Sequence, residues 1–353
     1  MIVVKGRKYT LEELLAKGNA EIWAVLDEMQ SRRVLKITEE ESVQEEVAAR
    51  QALGWDSHGL TVLKAIDFEG PCLILERAER SLRQRIDASA IDRATVPSYL
   101  KALCTALVHV HRARLVHMDI KPANIFQVLR LFTPLFTPRI FTPLRFTSRL
   151  FTPPLFTSLR FTHLFQVLDE RTGDPIWKLG DFDTCRRTGE PVGGFTSHYA
   201  APELASAELD GRAIAADAKM DIFSAGLSVL ECATGCPLIA KGTPKEEALT
   251  LLSSHHGGRP GEHATRVLEG MLADAMAPLD PALRSALKNM LEVNPRRRKD
   301  ANAILHTGVL SGQVMKLLLH PLHTLIFTPL ICTPLICTPL VFTPLFTPCS
   351  RGR

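Results

Sequence analysis

The chain has 353 residues, enough for one large domain or two modest ones. With 46% apolar and 23% charged residues it has the composition of a protein that buries a core, not of a disordered chain. A formal net charge of +4 is too small to argue for nucleic acid, and no nucleic-acid partner is expected.

In chain order, the first elements are short and β-like. "EIWAVLD" and "RRVLKIT" are rich in β-branched and aromatic residues and flank a turn-like gap, which predicts a hairpin. "EEESVQEEVAARQAL", Glu39 to Leu53, contains helix formers and neither Gly nor Pro, so it predicts a helix. "TVLKAIDFEGPCLILE" then reads as two strands joined by a Glu-Gly-Pro turn.

After Arg80 the pattern turns helical. "VPSYLKALCTALVHVHRARLVH" places Leu100, Leu103, Leu107 and Val110 near helical spacing. "DIFSAGLSVLECATG" and "PALRSALKNMLEVNP" are helical runs closed by Gly and Pro. The fold class is therefore α+β, with a small β-rich unit over residues 1–78 and a larger helical unit over 79–313. The cluster Arg296, Arg297, Arg298 and Lys299 reads as a solvated approach to a helix.

Two stretches fit neither unit. Residues 129–167 repeat Phe-Thr-Pro, and residues 314–353 repeat Thr-Pro-Leu. Proline at such short intervals forbids a helix and a central strand alike. The second stretch is apolar, but Pro321, Pro329, Pro334, Pro339, Pro344 and Pro348 argue against a membrane span, so it is expected to be a disordered tail. The first stretch has a seam, because "FQVL" occurs at Phe126–Leu129 and again at Phe165–Leu168. Joining across one copy gives a strand–turn–strand with Thr-Gly-Asp-Pro as the turn, and either copy can supply the strand that pairs with "IWKLGDF".

Eight cysteines, at Cys72, Cys104, Cys185, Cys232, Cys236, Cys332, Cys337 and Cys349, lack zinc spacing with histidine partners. They read as reduced thiols of an intracellular protein, cytoplasmic or nuclear. "MIVVKGRKYT" at the start holds no long apolar run, so no secretory signal is expected.

The motifs that carry chemistry come in a fixed order: "HMDIKPAN", "LGDFD", "HYAAPE", "MDIFSAG" and "NPRRR". An isolated Asp-x-Lys-x-x-Asn would read as a loop cap, since these residues are common in turns. Five motifs in order do not. Together they resemble the eukaryotic protein kinases, over roughly Tyr9 to His306 without the insert. The resemblance implies a bilobal fold, ATP and Mg²⁺ as cofactors, protein substrates, and a monomer with no membrane association.

It also implies roles for particular residues. Phosphoryl transfer needs positioning and charge neutralisation more than covalent chemistry. Asp119 would orient the attacking hydroxyl and accept its proton, and Lys121 would set a positive charge beside the moving phosphate. Asn124 and Asp181 would hold magnesium through hard oxygen ligands. Lys36, in "VLKI", would grip the ATP phosphates with a glutamate partner, for which Glu46 fits best and Glu45 comes second. In "LLAKGNAEIWAV" only Gly18 keeps the glycine of the phosphate loop, with Ala16 and Ala20 at the other two places, and Ile22 would cover the adenine. Leu75 would stand at the back of the pocket. Glu76 and Ala78 would offer the backbone groups that read adenine. Glu203 with Arg298, and Asp221, would brace the larger lobe, and Thr196 would contact Asp119 and Lys121.

Three departures from the family matter. Met118 replaces an arginine that in many relatives binds an activation-loop phosphate, so independence from such phosphorylation is expected. Asp183 stands where the family has the glycine of Asp-Phe-Gly. The repeat insert falls between Asn124 and Asp181. "LVHMDIKPANIF" is similar in wording to the Wee-type and Myt-type kinases, which phosphorylate cyclin-dependent kinases. Lys121 implies Ser/Thr rather than Tyr substrates. Two readings follow: an active Ser/Thr-directed kinase, or a pseudokinase that binds nucleotide or serves as a scaffold.

Overall fold

The computed structural model describes residues 1–54, 61–128, 176–253, 255–256, 259–260 and 262–307. An antiparallel sheet of six strands comes first: β1 (Ile2–Val4), β2 (Arg7–Lys17), β3 (Glu21–Leu26), β4 (Arg32–Ile37), β5 (Ala65–Glu69) and β6 (Cys72–Glu76). Their order in the sheet is β1-β2-β3-β4-β6-β5, and α1 (Glu40–Leu53) lies between β4 and β5 in sequence. Strand β1 is an addition to the sequence reading, whose first stated strands are "EIWAVLD" and "RRVLKIT". It forms because Ile2-Val3-Val4 is β-branched and because Lys5 and Gly6 both take positive φ, 48° and 75°. That is the backbone of the two-residue hairpin turn whose twist matches its strands.

The sheet nearly closes on itself. Lys5 N–H donates to Glu69 Oε2 at 2.6 Å, and Asp67 Oδ2 accepts from Tyr9 OH at 2.7 Å and from Arg7 Nη1 at 3.0 Å. The two-residue period of β6 splits its side chains between two small cores. Cys72 and Ile74 pack with Val4, Tyr9, Val25 and Leu35, whereas Leu73 and Leu75 pack under α1 against Val43 and Val47.

The remainder is mainly helical: β7 (Arg80–Ser81), α2 (Leu82–Asp87), α3 (Val96–Arg112), β8 (Leu115–Val116), β9 (Ile125–Val128), β10 (Ile176–Leu179), β11 (Arg186–Arg187), α4 (Pro202–Leu209), α5 (Ala218–Thr234) and α6 (Lys245–Leu252). The short strands β12 (His255–His256) and β13 (Arg259–Pro260) precede α7 (Glu262–Met276), α8 (Pro281–Met290) and α9 (Ala301–Leu305). The predicted stripe of α3, Leu100, Leu103, Leu107 and Val110, is buried against the large core. Helix α5 is capped by Asp217, which accepts from Lys219 N–H at 2.8 Å, and is buried along almost its whole length. Arg298, 1% exposed, forms a fork with Glu203 at 2.7 and 3.0 Å. A two-pronged pair of this kind fixes geometry as well as charge.

The choice between the two "FQVL" copies is decided by register. Strand β10 pairs with β9 as Ile176↔Val128, Trp177↔Gln127, Lys178↔Phe126 and Leu179↔Ile125, so the first copy supplies the strand. The second copy, the Thr-Gly-Asp-Pro turn, both repeat stretches and Cys332, Cys337 and Cys349 lie outside the described residues. Among the described residues no helix is long and apolar enough to cross a membrane.

Candidate active site

A cavity of about 710 Å³ opens between the sheet and the helical part. From the sheet side Ile22, Lys36, Glu46, Glu76 and Ala78 line it, and from the helical side Asp119, Lys121 and Asp181. Gly18 and Asn124 do not. Gly18 sits in the β2–β3 turn, where its N–H donates to Ala20 O at 3.1 Å, while its neighbours Ala16, Asn19 and Ala20 reach the cavity.

The loop after β8 carries the first cluster. Buried Asp221 of α5 accepts from the His117 and Met118 N–H groups at 2.7 and 2.9 Å and bonds His111 Nε2 at 2.9 Å. This clamp holds Met118 at φ 69°, a left-handed backbone that costs a non-glycine residue about 1–2 kcal/mol. Asp119 Oδ2 then meets Lys121 Nζ at 2.6 Å, and its Oδ1 accepts from Thr196 Oγ1 at 2.6 Å. Lys121 Nζ donates to the same Thr196 oxygen at 2.9 Å. Burial works against the charge on Asp119, but the Lys121 ammonium and the Thr196 hydroxyl hold its carboxyl below the usual carboxylate range.

Asn124 lies behind this cluster. Its Nδ2 donates to Asp119 O at 2.9 Å and to Asp119 Oδ2 at 3.1 Å, and its backbone O accepts from Gly180 N–H at 3.0 Å. That last bond ties Asn124 to the residue before Asp181. Residue 180 has no room for a side chain, since a Cβ there would sit 2.6 Å from Leu63 Cδ1 and 2.9 Å from Phe126 Cε2. Asp181 takes φ 65°, which a short polar side chain tolerates better than most.

The second cluster centres on Lys36. Its Nζ lies 3.0 Å from Glu46 Oε2, 2.5 Å from Asp181 Oδ1 and 3.2 Å from Asp183 Oδ2. Glu45, the second choice from sequence, points elsewhere and meets Arg186 Nη1 at 3.3 Å. Glu46 has a further partner that the sequence reading missed. Arg50, one helical turn on and 4% exposed, reaches Glu46 Oε1 with Nη2 at 2.5 Å and Nε at 3.0 Å. It also donates to Leu63 O, and its guanidinium lies 5.0 Å from the centre of the Phe182 ring. Phe182 stacks edge-on against His117 at 4.7 Å. Burial opposes ionisation of Glu46, yet Arg50 and then Lys36 hold its carboxyl down to about 2. Burial likewise opposes the charge on Lys36, and the three carboxylates hold the ammonium well above its ordinary value. Burial and the Asp181 charge push the Asp183 carboxyl up.

The strand connection behind the cavity is also braced by an unanticipated cation. Glu76 turns its carboxylate to Lys178 Nζ of β10, at 2.6 and 2.9 Å, and its backbone N–H is spent on Lys64 O at 2.9 Å. No described residue bonds the N–H or C=O of Ala78.

The donor types suit a magnesium–phosphate group. Asp181 offers a carboxylate at the cavity, and Asn124, behind it, has an amide oxygen that accepts no hydrogen bond from a described residue. Lys36 and Lys121 line the same cavity and would supply the cations that a phosphate chain requires.

No family model matches the chain. Among curated proteins it is 26% identical over 219 residues to the membrane-associated tyrosine- and threonine-specific cdc2-inhibitory kinase wee-1.3 of Caenorhabditis elegans, a match covering 61% of this chain and 22% of that protein. The chain thus spans about a fifth of the length of the curated relative it matches. The mixed architecture, β-rich at the N-terminus and helical towards the C-terminus, is compatible with a kinase fold. The likeness supports a protein-kinase family for this chain and singles out no member of it.

Proposed function

We propose that the chain is an ATP-dependent protein kinase that transfers the γ-phosphoryl group to Ser and Thr hydroxyls of protein substrates, in a Wee-like role. The observation that carries this reading is the convergence on one cavity of Asp119, Lys121, Thr196 and Asp181 from the helical side and Lys36 and Glu46 from the sheet side. Ionised Asp119 orients the substrate hydroxyl and accepts its proton. Lys121 stabilises charge on the moving phosphoryl group, and Lys36, steadied by Glu46, grips the remaining phosphates. Ile22 covers the adenine, and the backbone at Glu76 and Ala78 reads its edge. Asp181 and Asn124 are the residues that would hold magnesium, which would neutralise charge on the phosphates. The wording "HMDIKP" and the wee-1.3 likeness support the Wee-like part of the proposal.

The deciding test is transfer of radiolabelled γ-phosphate to a generic protein substrate, with phosphoamino-acid analysis of the product. Phosphoserine and phosphothreonine are expected. No transfer with either Mg²⁺ or Mn²⁺ would overturn the reading in favour of a pseudokinase, and phosphotyrosine alone would overturn the Ser/Thr part.

Backbone hydrogen bonds within the chain tie down the segment from Asp181 to Glu203. Thr188 N–H donates to Arg114 O at 2.9 Å, Gly189 N–H to Ala216 O at 2.9 Å, and Val192 N–H to Ile214 O at 3.0 Å. Met118, buried at the place of the family arginine, has no guanidinium to offer a phosphate. Thr188→Ala is therefore expected to keep the wild-type rate. Thr196→Ala removes a hydroxyl bonded to both Asp119 and Lys121. A hydrogen bond to a charged group contributes about 1.5–3 kcal/mol, so that variant should lose roughly ten- to a hundredfold in kcat. Steady-state rates of the two variants check the contrast; a large loss at Thr188 would count against it.

Because β10 pairs with the first "FQVL" copy, removing residues 130–168 leaves the Val128↔Ile176 register untouched. Activity of that deletion variant should equal or exceed that of the full chain in the same assay. A dead but folded deletion variant would give the repeat a role.

A further inference from the structure

Lys36 has three N–H donors, and all three are taken by carboxylates of the chain itself. Glu46 is fixed from its other oxygen by Arg50. Asp181 belongs to the proposed magnesium site and would stay with the phosphates in a magnesium–nucleotide complex. The third carboxylate has neither tie. Among the described residues Asp183 bonds only to Lys36, at 3.2 Å, the longest of the three contacts, and its side chain is 27% exposed. Its backbone is not in the left-handed region, so nothing in the local conformation calls for glycine, and the side chain is free to reach the ammonium.

We propose that Asp183 is an internal competitor of the nucleotide phosphates for Lys36. It occupies the donor that a phosphate oxygen needs, steadies the empty cleft and weakens nucleotide binding. A phosphate oxygen arriving at Lys36 either displaces the Asp183 carboxylate or lies beside it as a like charge, and both routes oppose binding. The inference rests on the reading of this cavity as a nucleotide site.

The experiment is calorimetric titration of the full chain with ADP, first in EDTA and then with excess Mg²⁺, for wild type, Asp183→Ala and Asp183→Asn. Thermal melting of each apo protein accompanies it. Without metal, Asp183→Ala is expected to bind ADP about tenfold more tightly, the scale of one hydrogen bond between charged groups, with Asp183→Asn in between. The apo variant should melt lower than wild type, and its stabilisation by ADP should be larger. In turnover, KM for ATP should fall without a rise in kcat. Equal or weaker ADP binding by Asp183→Ala in EDTA would overturn the proposal. Weaker binding confined to Mg²⁺ would make Asp183 a ligand of the metal and overturn it as well. If wild type and both variants, all folded, bind no ADP in any condition, the nucleotide reading falls and this one with it; if all bind equally, only this one falls.

Discussion

Asp119→Asn should lower phosphoryl transfer by about 10²–10⁴-fold, the usual contribution of a positioned general base, while ADP binding and melting temperature stay near wild type. The substitution preserves shape and changes charge and basicity. The carboxylate is surrounded by donors: Lys121 Nζ at 2.6 Å, Thr196 Oγ1 at 2.6 Å and Asn124 Nδ2 at 3.1 Å. An amide accepts from some of these, so the loop keeps its form, held in any case by Asp221 from below. On the proposed mechanism, what is lost is the group that takes the proton. Since Lys121 and Thr196 outweigh burial and keep the Asp119 carboxyl below its ordinary range, it stays ionised throughout the neutral region. Initial rates between about pH 5 and 8 should therefore show no acid limb from this residue. A variant that keeps a tenth or more of the wild-type rate would remove Asp119 from the reaction.

Arg50→Leu should destabilise the fold by about 3–5 kcal/mol, the cost of leaving a buried ion with a partner removed. Glu46 is 1% exposed and would keep only Lys36, which is shared with Asp181 and Asp183. Replacing both members, as Glu46→Leu with Arg50→Leu, should recover much of that stability, because apolar side chains of similar volume carry no desolvation cost. Activity should not return, since Lys36 then lacks its glutamate. Urea denaturation of the single and double variants, set beside their rates, separates bracing from catalysis. The pair also fixes the direction of an acid effect. The Glu46 carboxyl titrates near 4.3 when unfolded and at about 2 when folded. Its contribution is present in full above the unfolded value and fades as pH falls between those two values. That acid loss should be absent from the double variant.

The residues legible in the sequence are those whose chemistry fixes both type and spacing. Lys36, Asp119, Asn124 and Asp181 stand in short motifs with few alternatives. Glu46 and Glu45 are adjacent on a helix with a weakly amphipathic pattern, so the sequence ranks them only as first and second choice, and the ion pair with Lys36 shows that Glu46 turns inward. Arg50 was invisible for a related reason: a polar residue in "VAARQAL" reads as a solvent-facing position, and its burial depends on Glu46, Leu63 and Phe182 meeting in space. Lys178 hides in an apolar strand, and its partner Glu76 is distant in sequence. Tyr199 read only as part of "HYAAPE", yet it joins Arg83 and buried Glu231 in a half-buried cluster, with bonds of 2.7 and 2.6 Å. The two "FQVL" copies are identical, so no local property chooses between them; register with β10 does.

That register has a consequence for the tolerance of the molecule to added chain. The β9–β10 hairpin holds Asn124 and Asp181 together at one end, through the Gly180–Asn124 bond, and opens to the inserted residues at the other. The spacing of the two residues is set by the ladder between them and not by the length of chain that links Val128 to Ile176. Closing a longer loop adds only about 0.6 kcal/mol for each doubling. The hairpin is thus an insertion port, and a reporter domain or affinity tag spliced at Leu129 should extend the protein there while the spacing of Asn124 and Asp181 stays the same.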